Sequence, residues 1–155
     1  MSENGFAYIK KADIPKGIET LSYHKVYISK AYGAGDSFPH QIIGKPFYGE
    51  PNSVCSQTYL IIGYNQKMHK FSESECKNII VYIRTKLFRY LVYVKKKTQD
   101  NPSSVFQFVP LQDFTEKSDI DWSKSVKEID GQLYKKYGLT EEEVKFVEGM
   151  VKEME

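Results

Sequence analysis

From Cys76 to Val94, apolar residues return at three- and four-residue steps: Cys76, Ile80, Ile83, Leu87, Leu91 and Val94. At about 100° per residue these fall on one arc of an α-helix. Ser72 and Glu75 precede them at the S-x-x-E spacing of a capping box, in which each side chain takes up a backbone N–H that the first turn leaves unpaired. The pattern predicts one long amphipathic helix over 72–97. On the same projection Tyr82, Lys86, Arg89, Tyr93, Lys96 and Lys97 form a second stripe away from the apolar arc, cations alternating with tyrosines. The β-branched and aromatic residues near Val92 weaken the helical preference of its last turns.

Other periods mark the remaining elements. Residues 24–30 (HKVYISK) alternate Val26 and Ile28 with Lys25, Tyr27 and Ser29, the pattern of a half-buried strand, and 55–63 (CSQTYLIIG) reads as a second. Val105 to Val109 (VFQFV) alternates well enough for a third, stopped by Pro110. Between the first two lies 31–53, broken by Gly33, Gly35, Gly44, Gly49, Pro39, Pro46 and Pro51, a long loop that Phe38, Ile42, Ile43, Phe47 and Tyr48 favour as ordered. Residues 65–70 and 99–104 read as turns. Ser125 with Glu128 and Thr140 with Glu143 repeat the capping spacing and open two further helices. Gly138 ends the first of these, and Val144, Val147, Val151 and Met154 line the second. The expected fold is α+β, a small mixed sheet packed with one long central helix and two C-terminal helices. Residues 1–22 are expected to be a lead-in, a short strand or turn followed by an irregular link, and 23–155 one domain whose part 123–155 is helical.

Charge sharpens this picture. Residues 1–100 hold 15 Lys and Arg against 8 Asp and Glu, a net of +7, whereas 101–155 hold 7 against 12, a net of −5. A basic body with an acidic end attracts polyanions on one side and basic partners on the other. The cation and tyrosine stripe suits nucleic acid, since Lys and Arg neutralise phosphates and Tyr stacks or donates a hydrogen bond; the plain alternative is a solvated helix face. The two cysteines, Cys55 and Cys76, have no C-x-x-C or Cys/His companions, and no apolar run is long enough to cross a membrane. A reducing, cytoplasmic setting is expected.

Motifs for catalysis are absent. Gly33 and Gly35 stand close together, but no G-x-G-x-x-G or G-K-[ST] accompanies them and Asp36-Ser37-Phe38-Pro39 follows in place of a helix. His24, His40 and His69 are scattered. Glu75-Cys76-Lys77 and Glu143-Val144-Lys145 match the end of a nuclease metal site, yet both fall on predicted helices with no strand carboxylate ahead of them.

Several stretches occur here in one order: KVYISKAYGAG (25–35), FPHQIIGKPF (38–47), QTYLIIG (57–63), YIRTKLFRYLV (82–92), FQFVPLQDF (106–114) and LYKKYGLTEEEVKFVEGM (133–150). The set resembles the C-terminal portion of adenine-specific DNA methyltransferases and fused type II restriction-modification enzymes of the TaqI type. The resemblance implies a target-recognition domain that binds double-stranded DNA beside a methyltransferase or nuclease region of a parent protein. The family's Asn-Pro-Pro-Tyr-like tetrad and glycine-rich S-adenosylmethionine site are missing, so no cofactor is expected in this chain. S-adenosylmethionine and magnesium would belong to the parent's catalytic regions. On this reading the stripe grips phosphates, and Ser29, Lys30, Tyr32, His40 and Gln41 are candidates for base edges or the bent backbone, with Gln57 and Thr58 behind them. Charge reversal at Lys86, Arg89 and Lys96 together is then expected to weaken DNA binding without unfolding the chain. The alternatives are a restriction endonuclease with an unrecognised active site and a protein-interaction module that docks its acidic end on a methyltransferase or nuclease subunit.

Overall fold

Residues 7–33, 37–62 and 69–154 are described by the computed structural model. Gly35, Asp36 and most of the expected 65–70 turn lie outside them. Three strands, β1 (Lys25–Ser29), β2 (Phe47–Gly49) and β3 (Tyr59–Ile62), form a sheet in the order β2-β1-β3. Val26 faces Tyr48 on one side and Ile62 on the other. The α+β class is as expected, but both strand pairs are antiparallel, so the sheet is not mixed. Irregular links rather than helical crossovers join its strands, and parallel pairing needs a crossover.

Alternation predicted a half-buried β1, yet Lys25, Val26, Tyr27 and Ile28 are all buried. Val26 and Ile28 face the core cluster. The other face is covered by local chain. The Tyr27 ring lies 5.3 Å from that of Phe47, and Gly49 leaves room for the Tyr27 ring where a Cβ would collide with it. Lys25 Nζ donates to the carbonyls of Tyr23 (2.8 Å), Thr20 (3.2 Å) and Glu50 (3.2 Å), which ties the end of the lead-in to the chain just past β2. Burial depresses the pKa of this ammonium.

The single long helix is in fact two, α1 (Glu73–Arg84) and α2 (Lys86–Lys95), separated by Thr85 in an extended conformation (φ −61°, ψ 148°). The capping box of Ser72 and Glu75 starts α1 as expected. Thr85 Oγ1 donates to Tyr82 O at 2.6 Å and accepts from the Phe88 N–H at 3.3 Å, so one hydroxyl closes the first helix and caps the second. The carboxylate of Asp130 accepts the N–H groups of Lys86 (2.8 Å) and Leu87 (3.0 Å), two of the donors that a new helix start leaves without partners. The break thus depends on a residue more than forty positions away, which no local periodicity contains. Thr85→Ala is expected to lower the unfolding free energy by about 1–2 kcal/mol, the usual value of a lost N-cap, with Thr85→Ser restoring most of it in urea titrations.

α3 (Val126–Lys136) and α4 (Glu141–Met150) begin with the expected capping boxes, and Gly138 takes the left-handed conformation (φ +66°) just past α3. Val147, Val151 and Met154 are buried and Val144 half-buried, although α4 ends at Met150 and Val151 instead forms a parallel bridge with His40. VFQFV is not a strand. It lies in and after a 3-10 turn, Ser103–Phe106, because the Val105 N–H closes on Pro102 O and the Val109 N–H on Phe106 O. Phe106 of this segment meets Phe88 of α2 with ring centroids 6.2 Å apart, and an aromatic cluster of Tyr82, Phe114 and Trp122 seats the chain that follows on α1.

Candidate nucleic-acid interface

The stripe predicted along 82–97 does not survive as one exposed face: Tyr82, before the break at Thr85, is buried, and of the five residues after it Arg89 is buried, Lys86 and Lys96 are half-buried and only Tyr93 and Lys97 are exposed. Tyr82 is 4% exposed, donates its hydroxyl to Pro110 O (2.9 Å) and receives Gln112 Nε2 (3.3 Å). Burial raises its pKa well above the ordinary tyrosine value. Arg89 is fully buried: Nη1 reaches Lys152 O (2.6 Å) and Gln41 O (3.4 Å), Nη2 reaches Arg84 O (2.9 Å) and Nε reaches Thr85 O (3.3 Å). Burial brings its pKa down to about 10, against the raising effect of Asp130. Lys86 is half-buried and pairs with Glu148 Oε2 at 2.6 Å. Burial opposes ionisation of Glu148, but hydrogen bonds from Lys86 and Tyr134 outweigh it and lower its pKa. Charge reversal at Lys86, Arg89 and Lys96 is therefore expected to unfold the chain, contrary to the reading from spacing alone. A buried charge stripped of its partners is among the largest single destabilisers.

Lys96 has a different position. It is the C-cap residue of α2, and its Nζ donates to Asn101 Oδ1 (2.7 Å), Ile42 O (2.9 Å) and Tyr32 O (3.1 Å). Burial lowers its pKa, and Asp100 raises it in part. Lys96 and Arg89 together take carbonyls at Tyr32, Gln41 and Ile42. The glycine-rich segment and the end of α2, nominated separately from the sequence, are thereby held side by side. The bonds of the His40 N–H to Met150 O and of the Lys152 N–H to His40 O, both 2.9 Å, fasten the same loop to the end of α4.

Other candidates fall around this clamp. Ser29 is half-buried, and its carbonyl accepts from Asn101 Nδ2 at 2.9 Å. Tyr32 is half-buried, with its N–H on Gln99 O. Gln41 turns inward to Ile43 O at 3.2 Å, so its amide is committed to the loop. Lys30 and Lys97 are exposed, as are Gln57 and Thr58 near β3. His40 stacks on Tyr93 with centroids 5.4 Å apart and planes 16° from parallel, and Phe38 meets His40 edge-on at 5.6 Å. Neither Phe38 nor Asn101 was singled out from the sequence for this surface. Phe38 carries the available signal, a large apolar residue within a Gly/Pro-rich loop. Asn101 carries none, since its role requires Ser29 and Lys96 to be brought together.

Elsewhere, a cavity of about 650 Å³ lies between β3, α1 and the 101–114 segment, walled by Ile62, Phe71, Ile79, Phe88, Phe106 and Phe114 among others. Among the described residues no group of three or more His, Cys, Asp or Glu is placed to hold a metal ion, and no helix is long and apolar enough to cross a membrane. Comparison with protein-family models, with curated proteins and with solved structures found no match.

Proposed function

We propose that this chain is a DNA target-recognition module that binds double-stranded DNA without catalysing its chemistry, the surface being the loop around Phe38–Gln41 and the end of α2. The observation that carries this reading is the clamp of Arg89 and Lys96. The buried Arg89 and the half-buried Lys96 hold the loop through neutral carbonyls, leaving Lys30 and Lys97 exposed to meet phosphates and His40 to meet a base. Phosphate contacts set register and base contacts discriminate. The ordered resemblance to TaqI-type enzymes supports the same reading. S-adenosylmethionine, magnesium and the methyl-transfer or cleavage chemistry would then belong to a parent polypeptide region in the cytoplasm, with the acidic end, including Glu141, Glu142 and Glu143, available to a basic partner surface.

Fluorescence anisotropy with a mixed-sequence duplex at several salt concentrations tests the proposal. Binding is expected to weaken steeply with salt, the logarithmic slope growing by about 0.9 for each phosphate neutralised. Reversing both Lys30 and Lys97 to Glu is expected to reduce affinity by about tenfold or more and the slope by about 2 while leaving the fold intact. No binding at low salt would overturn the proposal. Site-specific cleavage of plasmid by this chain with magnesium would instead identify an endonuclease.

A further inference from the structure

The cavity between β3, α1 and the 101–114 segment runs along an edge of the sheet. β3 is the last strand in the order β2-β1-β3, and among the described residues no strand pairs with its outer side. The Lys30 N–H bonds to Thr58 O at 2.7 Å, one step beyond the pair of Ser29 and Tyr59. By the two-residue alternation of an antiparallel ladder, Leu60 and Ile62 then bond inward to β1, and the N–H and C=O of Ile61 point to the open side. Leu60, Ile61, Phe71, Phe106 and Val109 around the cavity are half-buried, and Leu111 at its rim is 84% exposed. Polar side chains in the walls, apart from Ser103, are taken up within the fold: Tyr82 by Pro110 O, Asn101 by Ser29 O, Gln112 by the Tyr137 hydroxyl and His69 by Glu75. The site therefore offers apolar contact beside backbone groups that no ladder satisfies. An extended peptide uses both, whereas a small apolar molecule leaves the edge unpaired.

The same chain carries a segment of that kind. Residues 7–10 (AYIK) belong to no helix or strand, Tyr8 is fully exposed, Ile9 is 52% exposed, and the backbone at Lys10 is extended (φ −69°, ψ 139°). Adjacent large apolar side chains held in water mark a contact surface. Charge matches as well. Residues 7–12 hold Lys10 and Lys11 and no acid, whereas 100–121, which supplies the far wall of the cavity, holds Asp100, Asp113, Glu116, Asp119 and Asp121 against Lys117, a net of −4. Asp113, between the wall residues Gln112 and Phe114, is exposed and has no ion pair among the described residues. With Tyr8 fully exposed, the arm does not lie on its own groove, and a second copy presents the same one. We propose that residues 7–10 of one copy add as a short strand to the β3 edge of another. Tyr8 and Ile9 alternate to opposite faces of the extended sheet, so that one enters the cavity beside Leu60 and the other lies beside Ile61. This association does not rest on the DNA-binding reading.

Sedimentation velocity of the full chain from about 1 to 200 μM tests the proposal and is expected to show self-association that grows with concentration. Tyr8→Ser combined with Ile9→Ser alters only exposed side chains and is expected to raise the dissociation constant at least about tenfold with an unchanged circular dichroism spectrum. Leu111→Arg, at the exposed rim, is expected to weaken association to a similar degree from the groove side. A fluorescein-labelled peptide of residues 7–12 (AYIKKA) is expected to bind the Tyr8→Ser, Ile9→Ser chain, whose own arm no longer competes, and to lose that binding when Leu111→Arg is added. Wild type that stays monomeric throughout would overturn the proposal, and peptide binding in that case would assign the groove to the chain's own arm. Association that survives either set of substitutions would overturn it too, since another surface would then be in use. The salt titration with duplex DNA stands or falls separately from each of these results.

Discussion

Arg89→Met is expected to lower the unfolding free energy by about 3–5 kcal/mol, one of the largest losses available to a single substitution in this chain. Methionine keeps an unbranched stem but ends short of the guanidinium, so the cost arises chiefly from polar groups left without partners, with a small void added. The carbonyls of Arg84, Gln41 and Lys152 each lose the donor that the buried guanidinium supplies. A buried acceptor left unpaired costs about 1–3 kcal/mol, which brings the sum to the upper part of the stated range even after local relaxation. Lysine is expected to recover little, because one ammonium cannot reach carbonyls spread over the end of α1, the 37–44 loop and the chain beyond α4. Trp122 is the chain's single tryptophan and is 7% exposed, so its emission in urea titrations reports the transition. Lys97→Glu, at an exposed position, is the control and is expected to stay within about 0.5 kcal/mol of wild type. A loss at Arg89→Met no larger than that control would show that the carbonyl clamp contributes little to stability.

The second large effect is a pH dependence set by Asp130. Its carboxylate is 2% exposed, and burial raises its pKa to about 6 although the N–H groups of Leu87 and Lys86 and the charge of Arg89 all favour the ionised form. With the folded value above the unfolded one of about 3.9, the native state retains a proton between about pH 4 and 6 that the unfolded chain has released. The stabilisation from this group is therefore complete below about pH 4 and is lost as pH rises through about 6. A shift of roughly two units corresponds to about 3 kcal/mol. Asp130→Asn preserves the shape and removes the titration. The difference in unfolding free energy, wild type minus variant, is expected to increase by about 3 kcal/mol from pH 7 to pH 4. Taking the difference cancels the opposite trend of Glu75, whose pKa is lowered because backbone and side-chain hydrogen bonds from Ser72 and His69 outweigh its desolvation. A pH-independent difference would rule out Asp130 as a titrating cap of α2.

The two experiments probe one design. Much of the chain between β1 and α1, and between α2 and α3, is irregular, and irregular chain has carbonyls that no ladder satisfies. Lys25, Arg89 and Lys96 supply donors from within, each to backbone oxygens from more than one segment. A cation paired with carbonyls does not become a neutral ion pair, so this form of support places positive charge under the surface proposed for DNA.

What could be read in the residues alone was local. Three helix starts followed from Ser or Thr with Glu three positions on, the end of α3 from Gly138, β1 from alternation and β3 from an apolar run ending at a glycine, whereas β2 lies inside the segment 31–53 that reads as a loop. Each depends on groups a few positions apart, which a linear pattern contains. The break at Thr85, the inward turn of Tyr82 and Arg89, and the convergence of the glycine-rich loop with α2 were decided by tertiary contacts. Asp130 stabilises a second helix start that the apolar period runs straight through, and carbonyls from two distant segments, at Gln41 and Lys152, join those of Arg84 and Thr85 to offer Arg89 a better site than water does. The helical projection assigned that cation to solvent because periodicity records where a side chain points on its own helix, and has no access to which unpaired oxygens the rest of the chain will bring there.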